Sequence, residues 1–126
     1  MYKRQIQGHT VADSISAGLP RDRLKAMAAV KETGGAYLTV TDDEILAAIP
    51  ALARGSGVFA EAAGAAAYAG LVKAVANGMV SPDERVVVLN PGSGLKDGAG
   101  AMQGGALVGT PPYLSLIHIS EPTRPS

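Results

Sequence analysis

The 126-residue chain contains no cysteine and no tryptophan, with one phenylalanine and four tyrosines. Without cysteine there is no disulfide framework, no zinc–thiolate site and no thiol nucleophile. It also lacks a charge excess, with 11 Lys+Arg against 11 Asp+Glu. A nucleic-acid binder that works through phosphate contacts would show a basic surplus. No apolar run reaches the 18 or so residues of a membrane span. The N-terminus is too polar for a secretory signal, so the expected compartment is the cytoplasm. Aromatics make up 4%, while 47% of residues are hydrophobic and glycine numbers 16. A core built from such small residues allows close packing, yet is marginal if it has to stand alone. The length suits one domain at most.

The two ends read as translated sequencing adapter and not as protein. Tyr2-Lys3-Arg4-Gln5 can be encoded TAT AAG AGA CAG. The opposite strand of that string encodes Leu-Ser-Leu-Ile, which is Leu114-Ser115-Leu116-Ile117. Folding does not select two ends that encode opposite strands of one DNA string, and such scars are set aside before fold reasoning. Residues 1–5 and 114–126 are therefore assigned to adapter, and 6–113 to protein. Removing Lys3, Arg4, Arg124 and Glu121 leaves eight basic and ten acidic residues, and His9 as the only histidine.

Within that segment helical and extended patterns alternate. Pro20 suits a first helical turn, Leu24, Met27, Ala28 and Lys31 follow at helical spacing, and Gly34-Gly35 stops the helix. Residues 36–40 read as a short strand. Thr41 or Asp42 caps the next helix, and Glu44 completes a capping box if Thr41 is the cap. Ile45, Leu46, Ile49 and Leu52 form its apolar stripe, Pro50 predicts a bend or an early end, and 54–57 reads as loop. After a short extended stretch at 58–60, Glu61 opens a helix of small residues to about Asn77, stopped by Gly78. Ser81-Pro82-Asp83 is a turn. The run Arg85-Val86-Val87-Val88-Leu89 is the strongest strand signal and suits a strand buried on both faces of a parallel sheet. Asn90 to Gly94 is a tight loop, and the Gly-rich stretch from Gly98 to Tyr113 shows little pattern. There is no internal repeat.

Strands alternating with helices imply an α/β fold. Ligands of such sheets bind beyond the carboxyl ends of the strands. That places the Asn90–Gly94 loop and the helix start at Glu61 at the expected site. The loop's N–H groups could cradle an anion, although strand-to-helix turns use glycine routinely. It is not a P-loop, since Leu95 precedes Lys96 and Asp97 follows it. Nor is it a dinucleotide fingerprint, whose third glycine would stand where Asp97 does. Glu61 is favoured at a helix N-terminus by the dipole alone; the alternative is a carboxylate held at a pocket wall. The small face of Ala63, Ala67 and Gly70 fits close helix–sheet packing. Asp42-Asp43-Glu44 is better read as helix capping than as a metal site, and His9 alone makes no catalyst. No nucleophile–base pair or metal-ligand spacing occurs, so no catalytic and no metal-binding residue is assigned.

Five segments in order carry a family resemblance: Thr10-Val11-Ala12-Asp13-Ser14-Ile15, Gly18-Leu19-Pro20-Arg21, Val40-Thr41-Asp42-Asp43-Glu44-Ile45, Gly57 to Ala65, and Val86 to Asp97. The chain resembles the C-terminal part of the threonine synthases, within the tryptophan-synthase-β-like (fold type II) pyridoxal-phosphate enzymes. The family patterns are a Glu-Pro-Ala-Gly-Ala helix start and a Thr-Gly-x-Gly-Leu-Lys-Asp loop. The second ends here as Gly94-Leu95-Lys96-Asp97, which favours threonine synthases over dehydratases.

The resemblance implies a three-layer fold with a mostly parallel sheet flanked by helices, of which residues 6–113 are an incomplete C-terminal piece. It implies pyridoxal 5'-phosphate (PLP) as cofactor and an amino-acid substrate, with no nucleic acid or membrane partner and a homodimeric parent. The implied reaction converts O-phosphohomoserine and water to threonine and phosphate. The family's Schiff-base lysine lies upstream and is not Lys96, so the piece alone is expected to be inactive. The implied cofactor-binding positions are Pro91, Gly92, Ser93 and Gly64, with Glu61 near the ring behind them. Pro91 stands where the family has a Thr or Ser that hydrogen-bonds the pyridine nitrogen, and proline has no side-chain donor. Ala62 stands where the family has proline. Two other readings remain open: a piece of a threonine or serine dehydratase, and a small non-catalytic α/β binding module.

Overall fold

The computed structural model describes residues 8–107. The ends expected to be adapter, 1–5 and 114–126, lie outside the described residues, as do 6–7 and 108–113. Four α-helices are formed: α1 (Arg23–Thr33), α2 (Asp42–Ser56), α3 (Ala62–Ala76) and α4 (Gly98–Ala106). Single 3-10 turns occur at Asp13–Ile15 and Gly94–Lys96.

α2 starts as its sequence dictates. The Glu44 N–H donates to Thr41 Oγ1 at 3.2 Å, and the Thr41 N–H donates to Glu44 Oε2 at 2.6 Å. This is a capping box with Thr41 as the cap. The apolar stripe follows, with Ile45, Ala48, Ile49 and Leu52 buried. Burial of each isoleucine stabilises by about 1.5–3 kcal/mol. The stripe packs on Ala62, Ala63, Ala65 and Ala69 of α3, with Ala12 and Ala60 completing the cluster. Alanine on α3 is what lets the larger α2 side chains seat closely. The side chain of Lys73 on α3 bonds Glu44 at 3.1 Å and links the two helices at their rim.

Two expected boundaries on α2 move. Pro50 neither ends nor shortens the helix, which continues through the expected loop at 54–57 to Ser56 and stops at Gly57 in the left-handed region, φ 75°. Pro50 has no N–H for the Leu46 carbonyl. α4 packs over that point: a Cβ on Gly104 would lie 3.2 Å from the Leu46 oxygen and 3.5 Å from Pro50 Cδ. α4 itself has no signature in its glycine-rich sequence. Asp97 nucleates it by accepting from the Gly100 N–H at 2.9 Å.

At α1, Pro20 stands ahead of the helix and not in its first turn, with Asp22 at the N-cap. The stop is as expected: Gly34 and Gly35 donate to Lys31 and Val30 carbonyls, with Gly34 left-handed. Leu24 and Met27 are 71% and 59% exposed, so the apolar side of α1 has no partner among the described residues.

The expected sheet is not formed among the described residues. Residues 36–40 and 85–89 are neither helical nor paired. The one bridge is isolated and antiparallel, between Ala60 and Ser93. The run expected to be buried on both faces is instead open, with Val87 86% and Leu89 77% exposed. A strand needs a neighbour for its N–H and C=O groups, and neither run has one here. Both runs nevertheless lie along α3. Leu38 and Val86–Leu89 line one apolar groove with Ala67, Gly70, Leu71 and Ala74.

Candidate functional site

The loop after Leu89 and the segment that leads into α3 meet. Two backbone hydrogen bonds join them. Glu61 N–H donates to the Gly92 carbonyl at 3.2 Å, and Gly94 N–H donates to the Phe59 carbonyl at 2.9 Å. The Ser93 hydroxyl accepts from the Leu95 N–H at 3.3 Å and starts the 3-10 turn that carries Lys96.

Three glycines make this junction possible, each by leaving room for one side chain. A Cβ on Gly92 would fall on the Glu61 carboxylate. A Cβ on Gly64 would fall on Asn90 Oδ1, and one on Gly94 would strike the Phe59 ring. Any larger residue at these points would push loop and helix apart.

Glu61 holds the N-cap position of α3, but its side chain makes no cap hydrogen bond. The helix dipole favours a carboxylate at this end even without a cap hydrogen bond. It is 8% exposed, the one buried charged residue among the described residues. Its carboxylate turns over Gly92 to Lys96, whose Nζ lies 3.4 Å from Oε1. Beside it, Asn90 Oδ1 is buried with no hydrogen-bond partner. A buried acceptor without a donor is costly, typically about 1–3 kcal/mol. Such an atom needs an explanation, and a ligand group is one.

Of the residues singled out from sequence, Glu61, Gly64 and Gly92 come together here. Ser93 sits at the loop's turn and Pro91 on its exposed side. Sequence reasoning left out Asn90, Phe59 and Lys96. The first two had no sequence signal: the glycines at 64 and 94 that seat them are recognisable as their partners only in the fold. The Lys96 contact depends on the 3-10 turn, which has no sequence mark beyond Ser93.

The other acidic residues have structural roles. Asp42 Oδ1 accepts from Thr10 Oγ1 at 2.5 Å, and its Oδ2 from the Val11 N–H at 3.2 Å, which ties the N-terminal segment to α2. The Glu44 carboxyl is held below its ordinary value, chiefly by the Thr41 N–H and then by Lys73. His9 is exposed in an open cleft with Thr10, Asp13 and Ser16. Among the described residues no helix is long and apolar enough to cross a membrane.

A family profile described as pyridoxal-phosphate dependent enzyme matches residues 2–92. A threonine synthase of Methanosarcina acetivorans is 48% identical over 88 residues, covering 70% of this chain and 22% of that protein. One of Methanocaldococcus jannaschii is 43% identical with the same coverage. One of Halalkalibacterium halodurans is 44% identical over 93 residues, covering 74% of this chain and 26% of the relative. The chain therefore spans about a quarter of the length of the curated relatives it matches.

Proposed function

The chain belongs to the pyridoxal-phosphate dependent enzymes, and from that premise we propose that it forms one wall of the cofactor site of a threonine synthase. The enzyme would convert O-phosphohomoserine and water to threonine and phosphate. The observation that carries this reading is the junction of Glu61, Gly92, Asn90 and Gly64. It holds a buried carboxylate and an unpartnered acceptor at the one place where loop and helix meet.

The residues present fit PLP on two counts. Asn90 Oδ1 can accept from a donor brought into the site, which would relieve its desolvation. Glu61 offers a fixed negative charge on the same wall, and Gly92 keeps the backbone low beneath it. Gly64 contributes by seating Asn90, and Ser93 by shaping the turn. Pro91 offers no side-chain hydrogen bond. Bound there, PLP supplies the electron sink for bond-making and bond-breaking on amino-acid substrates.

The same reading assigns residues 36–40 and 85–89 to a mostly parallel sheet of the complete fold. Their support is the extended, unpaired backbone and the shared apolar groove along α3. A homodimeric, cytoplasmic parent belongs to this reading by family analogy.

The test is a chimera in which residues 10–97 replace the matching stretch of the Methanosarcina acetivorans protein. Threonine and phosphate from O-phosphohomoserine support the proposal. A 2-oxo acid and ammonia from threonine or serine point to a dehydratase. A folded chimera that does not bind PLP sinks the enzyme reading. The 126-residue chain alone is expected to form no threonine.

A further inference from the structure

Glu61 is a buried carboxylate at a helix N-cap that does not cap its helix. Besides the helix dipole, a cation reaches it: Lys96 Nζ lies 3.4 Å from Oε1. The Lys96 side chain is 64% exposed while that of Glu61 is 9% exposed, so the lysine closes over the carboxylate from the solvent side. Its backbone is fixed too. Lys96 N–H donates to the Ser93 carbonyl at 3.1 Å within the 3-10 turn. That turn is fastened to the α3 start by the Gly92 and Gly94 hydrogen bonds. Loop, carboxylate and lysine thus form a closed circuit: Glu61 backbone to Gly92, along the loop to Lys96, and back through the ion pair to the Glu61 side chain.

The geometry points to Lys96 as a positioning residue that presses the Glu61 carboxylate onto Gly92 and so sets how tightly the site holds its cofactor. This rests on the proposed cofactor wall and adds a residue to it. Lys96 touches neither substrate nor cofactor in this scheme; it acts through Glu61. Without it the carboxylate can swing into the exposed rotamers that a long side chain prefers, and Gly92 loses the side chain that covers it.

The experiment uses the full-length holoenzyme that carries this segment, stripped of its cofactor and titrated with PLP, followed by fluorescence. Lys96→Met is expected to weaken PLP binding about two- to fivefold, the range for a partly exposed ion pair. Its melting temperature should fall no further than that of Lys25→Met, whose lysine makes only an exposed 4.0 Å contact with Asp22. Amide exchange at Glu61 and Gly94 should quicken, and Lys96→Arg should restore both affinity and exchange. In a Glu61→Gln background, Lys96→Met should have no further effect. Lys96→Met affinity equal to that of Lys25→Met overturns the inference, as does an undiminished loss in the Glu61→Gln background. Should Glu61→Gln not fold, the Lys96→Arg rescue decides. A wild-type holoenzyme that binds no PLP at all overturns the cofactor wall, and the role of Lys96 with it.

Discussion

The Glu61 carboxylate lies where a methyl group on residue 92 would have to sit. Gly92→Ala therefore forces a choice between moving a buried carboxylate and lifting the loop off α3. Either should destabilise the full-length protein by about 1–3 kcal/mol and break the Glu61–Lys96 contact. Denaturant unfolding measures the first and PLP titration the second. Gly98→Ala is the control: a Cβ there would meet no atom within 4 Å, and at the first position of α4 alanine should leave stability nearly unchanged. Equal stabilities for the two variants would mean that the carboxylate is not seated on Gly92.

Much of this arrangement was readable before the fold, and what was not had a physical cause. The Thr41–Glu44 capping box, the α2 stripe, the Gly34 stop and the Glu61-to-Asn77 span rest on local contacts, so local patterns found them. α4 escaped because glycine carries no periodicity; only Asp97 marks its start. Pro50 does not end the helix because its neighbours hold it: α4 packs over the Leu46 carbonyl, and α3 packs on the buried stripe. Residues 85–89 read as a strand because β-branched residues suit a pleated, buried surface. Among the described residues they pair with no neighbour. Sequence points to the 90–94 loop and Glu61, whereas the orphaned Asn90 oxygen is visible only in three dimensions.

Gly70 tests that missing sheet. It lies mid-helix on α3, lines the apolar groove, and a Cβ added to it would meet nothing within 4 Å. In the 126-residue chain, Gly70→Ala should raise helicity measured by far-UV circular dichroism, in line with about 0.5–1 kcal/mol of helix preference. In the full-length protein the same methyl would enter a groove closed by paired strands at 36–40 and 85–89. There the gain should vanish or reverse in thermal unfolding. An equal gain in both would show that the groove stays open and that no sheet packs on this face.

Glu44 supplies a pH signature. Its pKa is lowered from the ordinary 4.5, first by the Thr41 N–H and next by Lys73. A carboxyl with a depressed folded pKa contributes stability that is complete above the unfolded value. That contribution drains away as pH falls through the folded one. Stability of the α2–α3 pair should thus decline below about pH 4.5, and Glu44→Gln should flatten that acid limb while leaving its steepness elsewhere unchanged. Denaturation midpoints between pH 3 and 7 measure it. Identical acid limbs for both proteins would place the decline on other carboxylates.

Pro91 offers the sharpest test of the cofactor wall. It stands on the exposed side of the loop, at the position where the family resemblance implies a hydroxyl that hydrogen-bonds the cofactor's ring nitrogen. Proline cannot supply that bond. Pro91→Thr introduces both a side-chain hydroxyl and a backbone N–H next to Gly92. A restored hydrogen bond is worth about 0.5–1.5 kcal/mol, so on the proposed cofactor wall the variant should bind PLP about two- to tenfold more tightly. Pro91→Val separates the two contributions, since it adds the N–H and a similar shape without the hydroxyl. A gain with threonine and none with valine places position 91 against the cofactor ring. Equal behaviour of both variants would move the ring's partner elsewhere on this wall, with Asn90 and its unpartnered oxygen the next residue to change.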